Sequence, residues 1–205
     1  DVGKAYEKNH PILSEVDLTL DTHEVVAVKG RNGSGKTTLL RLILGLTIPS
    51  QGRVITQIRH RGFLPERVPA PPFRARNYLL HMAAIHGLRR RDAMAIVESY
   101  AERLGLTSWV EVGVPKLSKG TRQKVGLIQA LLGDPEILVL DEPWTALDQP
   151  AHLEMNKIIE ASKQRGCCVL VTDHRDGLST IAPDRILHIE DRRVYEMDES
   201  GETKL

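Results

Sequence analysis

The stretch Gly30-Arg31-Asn32-Gly33-Ser34-Gly35-Lys36-Thr37-Thr38 decides the fold, because of what stands on either side of it. It follows Val25-Val26-Ala27-Val28, a short β-rich apolar run that reads as a buried strand. It precedes a segment, about Lys36 to Leu44, that predicts a helix closed by Gly45 and the Pro49-Ser50-Gln51-Gly52 turn. The pattern G-x-x-x-x-G-K-[ST] between a strand and a helix is the sequence of a phosphate-cradling loop. Its glycines let successive N–H groups turn inward, and the positive end of the following helix adds to the field. Lys36 is expected to neutralise the β- and γ-phosphates of ATP, and the Thr37 hydroxyl to ligate Mg²⁺. A chance glycine-rich loop is the bland alternative, and the correct flanking elements weigh against it.

Working outward, Ile137-Leu138-Val139-Leu140-Asp141-Glu142 is an apolar strand ending in two carboxylates. A metal-dependent phosphate site needs an acid there. Asp141 is expected beside Thr37, at the metal. Strand residues alternate in direction, so Glu142 is free to address another atom, the attacking water. A further helix is predicted from Ser118 to Leu132, one from about Gln149 to Arg165, a strand at Cys167 to Thr172, and two short strands within Arg185 to Met197. Asp17 to Leu20 and Arg53 to Gln57 also look strand-like and are expected to form an antiparallel flank. Pro65, Pro69, Pro71 and Pro72 mark a constrained loop, after which Asn77 to His86 and Arg91 to Leu104 read as helices. In the second of these, Val97, Tyr100, Ala101 and Leu104 share one face.

The expected fold class is therefore α/β, a mostly parallel sheet with helices on both faces, carrying an antiparallel β flank and an inserted helical subdomain. The expected organisation is one domain over 1–205, with a nucleotide-binding core at 1–64 and 117–205 and a helical lobe at about 65–116.

The bulk numbers fit. The 205 residues are 41% hydrophobic and 27% charged, ordinary for a globular chain, and only 4% aromatic, so the core must be aliphatic. Net charge is +1, which gives no bulk electrostatic grip on nucleic acid or an anionic membrane. No apolar run approaches the ~20 residues needed to span a bilayer, and Asp1-Val2-Gly3-Lys4 lacks the regions of a signal peptide. Cys167 and Cys168 are adjacent in an apolar run, poorly placed for a structural disulfide.

A phosphate loop plus an acidic strand end suits many nucleotide hydrolases and kinases. Leu117-Ser118-Lys119-Gly120-Thr121-Arg122-Gln123-Lys124 narrows the field. With these motifs in this order, the chain resembles the nucleotide-binding domain of an ATP-binding-cassette (ABC) transporter, whose signature usually reads L-S-G-G-Q. The bland reading of Ser118 is a helix N-cap. The resemblance covers almost the whole chain. It implies that Gly30 to Thr38 bind ATP, that Tyr6 stacks on adenine, and that His174 contacts the γ-phosphate. It implies that Ala146-Leu147-Asp148 crosses a dimer interface and that Ser118, Lys119 and Gly120 serve ATP held by a second subunit. Two chains would then seal two ATP molecules.

Three departures stand out. Glu66 occupies the position where the family usually has Gln; a carboxylate can reach Mg²⁺ but cannot donate an amide hydrogen bond. Thr121 replaces the signature's usual Gln, and the stretch from Gly52 to Glu66 is short, as if one antiparallel hairpin were missing. The implied partners are a second copy or a related ATPase subunit and a separate integral-membrane permease, with no nucleic acid. The implied location is the inner face of the cell membrane. Leu-Ser-Lys-Gly with Phe63-Leu64-Pro65-Glu66 looks most like exporters. The alternative is a non-transport ABC ATPase acting on the ribosome or DNA, and a small-molecule kinase or a purely regulatory ATP-binding module also remains open.

Overall fold

A computed structural model describes residues 1–172, 180–197 and 203–204. Its centre is a seven-stranded sheet in the order β4-β5-β6-β3-β7-β8-β9. The strands are β3 (Val25–Gly30), β4 (Arg61–Leu64), β5 (Ile137–Asp141), β6 (Cys168–Thr172), β7 (Arg185–Glu190), β8 (Arg193–Met197) and β9 (Thr203–Lys204). The first five pair in parallel; β8 and β9 are added antiparallel at one edge. The helices are α1 (Lys36–Ile43), α2 (Ala75–Ile85), α3 (Arg90–Arg103), α4 (Lys119–Leu131) and α5 (Gln149–Gln164).

Period-two alternation divides the apolar residues of the central strands between two cores. Val25, Ala27, Leu138, Leu140, Val169 and Val171 join one cluster with α2, α3, α4 and α5, through residues such as Leu79, Val97, Leu127 and Met155. Val26, Val28, Ile137, Val139, Cys168 and Leu170 face the other way, onto Leu39, Leu40 and Leu42 of α1. Helices therefore cover both faces, as expected. The segment predicted as a lobe shares the first cluster with the sheet through residues such as Val68, Leu79 and Val97. Outside it, α4 lies on β4, where a Cβ on Gly62 would come within 2.1 Å of the Ala130 carbonyl oxygen. Val97, Ala101 and Leu104 are buried and Tyr100 is half-buried against them.

The antiparallel flank exists, but not where it was expected. It consists of β1 (Val2–Glu7) and β2 (His10–Val16), joined at Asn9, which holds a φ of 69°. Residues 17–20 and 53–57 form no strand. Leu18 and Leu20 do turn inward, and with Val54, Ile55 and Ile58 they line an apolar cavity of about 480 Å³ beside α1. Alternation reports which side chains are covered; it does not supply the neighbouring backbone that a ladder requires.

Candidate functional site

The site lies at the carboxyl ends of β3, β5 and β6, with β6 between the other two. Glycine is required at two points of the loop. A Cβ on Gly30 would meet the Ser34 hydroxyl at 2.6 Å and the Ile189 carbonyl oxygen at 2.9 Å. Gly35 holds a φ of 109° against Ile12 and Leu13 of β2, so the flank braces the loop. Gly35 is also the N-cap of α1 and offers no side-chain cap, so the first N–H groups of that helix are left for another acceptor. The Lys36 ammonium is 8% exposed and donates to the carbonyls of Gly30 (2.7 Å) and Arg31 (3.1 Å). The Ser34 hydroxyl is buried without a hydrogen-bond partner among the described residues.

Thr37 and Asp141 meet as expected: the Thr37 hydroxyl donates to Asp141 Oδ2 at 3.1 Å, and Asp141 is 4% exposed. Asp141 Oδ1 accepts from the Thr172 hydroxyl at 2.5 Å. Glu142 departs from the alternation argument. It lies past the end of β5 with a φ of 54°, so a left-handed turn, and not strand parity, sets its direction. Its N–H donates to both the carbonyl and the hydroxyl of Thr172, each at 3.1 Å.

These residues open on a cleft of about 590 Å³ that includes Asn32, Gly33, Gly35, Lys36, Thr37, Thr38, Asp141 and Glu142. Tyr6 and Glu66, from β1 and the proline loop, line it too. The Tyr6 ring is 54% exposed, with the Lys4 ammonium 4.8 Å from its centroid. Burial tends to raise the pKa of the Tyr6 hydroxyl, but hydrogen bonds to Thr38 and Arg41 and the nearby cations bring it below the usual tyrosine value.

The Ser118 motif starts α4, and Ser118 caps it, accepting from the Thr121 N–H at 3.1 Å and sharing a 2.7 Å contact with the Thr121 hydroxyl. Thr121, which departs from the usual signature, is thus part of the cap. Lys119 lines the cleft of its own chain. Gly120 packs against the loop after β5: a Cβ there would lie 2.2 Å from the Ala146 carbonyl oxygen, where Ala146 holds a φ of 63°. His174 lies outside the described residues. Thr172 was not singled out from sequence; the available signal was a polar residue ending a buried apolar run in register with Asp141.

The buried ammonium, the uncapped α1, the orphaned Ser34 hydroxyl and the Thr37–Asp141 pair suit a nucleotide triphosphate with a hard divalent cation. They define a phosphate-loop nucleotide-binding site. The ABC transporter family model matches residues 13–145. Zinc import ATP-binding protein ZnuC of Paracoccus denitrificans is 37% identical over 193 residues, 91% of this chain and 73% of its own. The uncharacterized ABC transporter ATP-binding protein YhaQ of Bacillus subtilis is 34% identical over 82% of this chain, which spans 59% of YhaQ. A solved ATP-binding subunit of an ABC transporter superimposes with a TM-score of 0.87 at 24% identity, over 95% of this chain and 86% of that one. A dimeric ATP-binding cassette in a post-hydrolysis state with ADP and Pi superimposes with a TM-score of 0.79 at 24% identity, over 94% of both. The chain belongs to the ABC transporter family and carries its ATP-binding ATPase domain.

Proposed function

We propose that this chain binds ATP at the cleft below α1, closes with a second copy or a related subunit around two ATP molecules, and so drives a separate membrane permease. The observation that carries the reading is the juxtaposition at the end of the parallel sheet: buried Lys36, uncapped α1, and Asp141 hydrogen-bonded to Thr37. Lys36 and the α1 N–H groups hold the phosphates, and Thr37 with Asp141 holds Mg²⁺. When bound, the metal would supply neutralisation of the phosphate charge. Glu142 accepts a proton from the attacking water, and contact with the γ-phosphate is assigned to His174 by resemblance to the family alone. Tyr6 would offer a face to adenine, and Glu66, which lines the same cleft, would supply a further oxygen for the metal.

Ser118, Lys119 and Gly120 meet the γ-phosphate of the partner's ATP. ATP favours the closed pair by adding contacts to both halves, and loss of the γ-phosphate lets it open. Residues 65–116 form the lobe that meets the permease. Among the described residues no helix is long and apolar enough to cross a membrane. The expected direction of export is unsupported: the similar ZnuC proteins are zinc importers by name.

The test is Glu142→Gln. It is expected to keep ATP binding by calorimetry, lose most hydrolysis, and elute as an ATP-dependent dimer in size-exclusion chromatography. Hydrolysis at the unsubstituted rate would overturn the assignment of the base, and a monomer at saturating ATP would overturn the closed pair.

A further inference from the structure

Thr172 is fully buried at the carboxyl end of β6, between the strand that carries the phosphate loop and the strand that carries the two carboxylates. In the sheet register it pairs with Val28 on one side and Asp141 on the other. Its hydroxyl donates to Asp141 Oδ1 at 2.5 Å and accepts from the Glu142 N–H at 3.1 Å, while its carbonyl accepts from the same N–H at 3.1 Å. The other Asp141 oxygen is held by Thr37. Asp141 is thus fixed from both sides, by α1 through Thr37 and by β6 through Thr172. Glu142 sits in a left-handed conformation that L residues with a Cβ seldom adopt, at a cost of order 1 kcal/mol, so its surroundings must hold it there.

We propose that Thr172 is a positioning residue for ATP hydrolysis, its hydroxyl setting the Asp141 carboxylate for the metal and, through the Glu142 N–H, the turn that aims the Glu142 carboxylate. The proposal rests on the roles given above to Asp141 and Glu142. It explains why a polar side chain ends a strand whose other residues are Cys168, Val169, Leu170 and Val171. A valine would fill the same space and bury more apolar surface, but would leave an ionised oxygen without its donor. One hydroxyl bonds the Asp141 carboxylate and the Glu142 N–H at once, so its removal reaches the metal site directly and the base through its backbone turn.

The experiment compares Thr172→Val and Thr172→Ser in the full chain. Melting midpoints report folding, calorimetry measures ATP affinity in EDTA and in Mg²⁺, and steady-state hydrolysis is read at saturating nucleotide. Thr172→Val is expected to bind ATP in EDTA as the unsubstituted chain does, to lose most of the gain in affinity that Mg²⁺ brings, and to hydrolyse about 10- to 100-fold more slowly. Thr172→Ser keeps the hydroxyl and is expected to stay within about threefold on both measures. A folded Thr172→Val with the full Mg²⁺ gain and unchanged kcat overturns the proposal. So does a folded Thr172→Ser as impaired as Thr172→Val.

If Thr172→Val fails to fold, Thr172→Cys, with its weak donor, takes its place, and equal rates for the Cys and Ser variants overturn the proposal. Glu142→Gln separates the two levels. Undiminished hydrolysis there removes the reading on which the proposal rests, whereas its loss beside an unaffected Thr172→Val removes the proposal alone.

Discussion

Lys36 and Gly120 are conspicuous in the sequence for different physical reasons, and each yields a prediction. Lys36 places a buried ammonium on the carbonyls of Gly30 and Arg31 and so fastens the loop. Lys36→Ala is expected to lower ATP affinity by at least about tenfold in calorimetry, since a charge-assisted contact to phosphate is lost; unchanged affinity would count against the phosphate-loop reading. Gly120 lies inside a helix, where propensity alone would make alanine more stable by about 1 kcal/mol. The 2.2 Å approach to the Ala146 carbonyl oxygen decides otherwise, because backbone must shift. Gly120→Ala is expected to lower stability by about 1–3 kcal/mol in urea unfolding while leaving ATP binding to the single chain intact. A gain in stability would show that the 146–148 loop yields freely. The phosphate loop, Asp141 and Ser118 were legible in sequence because their chemistry demands particular residue types at fixed local spacing. Thr172 and the Gly120–Ala146 contact were not, because each depends on which strand or loop comes to lie beside it.

At the scale of elements, α4 and α5 are joined by an ion pair that sequence gave no reason to expect. Asp148 caps α5, accepting from the Ala151 N–H at 3.3 Å, and lies 3.0 Å from the Lys124 ammonium of α4. The hydrogen bond to Lys124 is the main reason its pKa falls below the usual carboxylate value, with burial opposing. A depressed folded-state pKa contributes stability above the unfolded value, about 3.9, and that contribution is lost as pH falls through the folded value. Asp148→Ala is expected to cost about 1 kcal/mol at pH 7, mostly through the lost cap, because the carboxylate is largely exposed and the ion pair is screened. Asp148→Asn keeps a capping oxygen and is expected to cost less. The Asp148→Asn deficit should shrink when unfolding is measured below pH 4; a deficit that grew would mean the ion pair is not its source. Helices and central strands were well placed by periodicity, caps and glycine stops. The segment 17–20 was misread as a strand because its alternating burial lines a cavity instead of facing a paired neighbour, and 53–57 because its β-rich composition was taken for pairing although all five residues are exposed.

The whole molecule has a built-in reporter of its cooperativity. Cys167 and Cys168 adjoin one another between β5 and β3, yet Cys167 belongs to the core beneath α5 and Cys168 to the core beneath α1. Both are 4% exposed, and burial pushes both thiols up to about 12. At pH 8 only roughly one thiol in ten thousand would be ionised in the folded chain, so labelling by a thiol reagent must pass through opening. The raised pKa favours the folded state fully below the unfolded thiol value, about 8.5, and that contribution is lost as pH rises toward 12. Because the two thiols face opposite cores across one sheet, neither can be exposed without parting the layers, so both are expected to react at the same rate, set by global unfolding. ATP, binding only the folded chain, should slow that rate by about 1 + [ATP]/Kd, roughly a hundredfold at one hundred times Kd. Lys36→Ala, with its affinity lowered at least about tenfold, should cut that slowing from about a hundredfold to about tenfold or less, measured against the variant's own rate without ATP. Mass spectrometry after timed alkylation measures each cysteine separately. Faster labelling of Cys168 would show that the α1 side opens alone, which would detach the phosphate loop from the cooperative core.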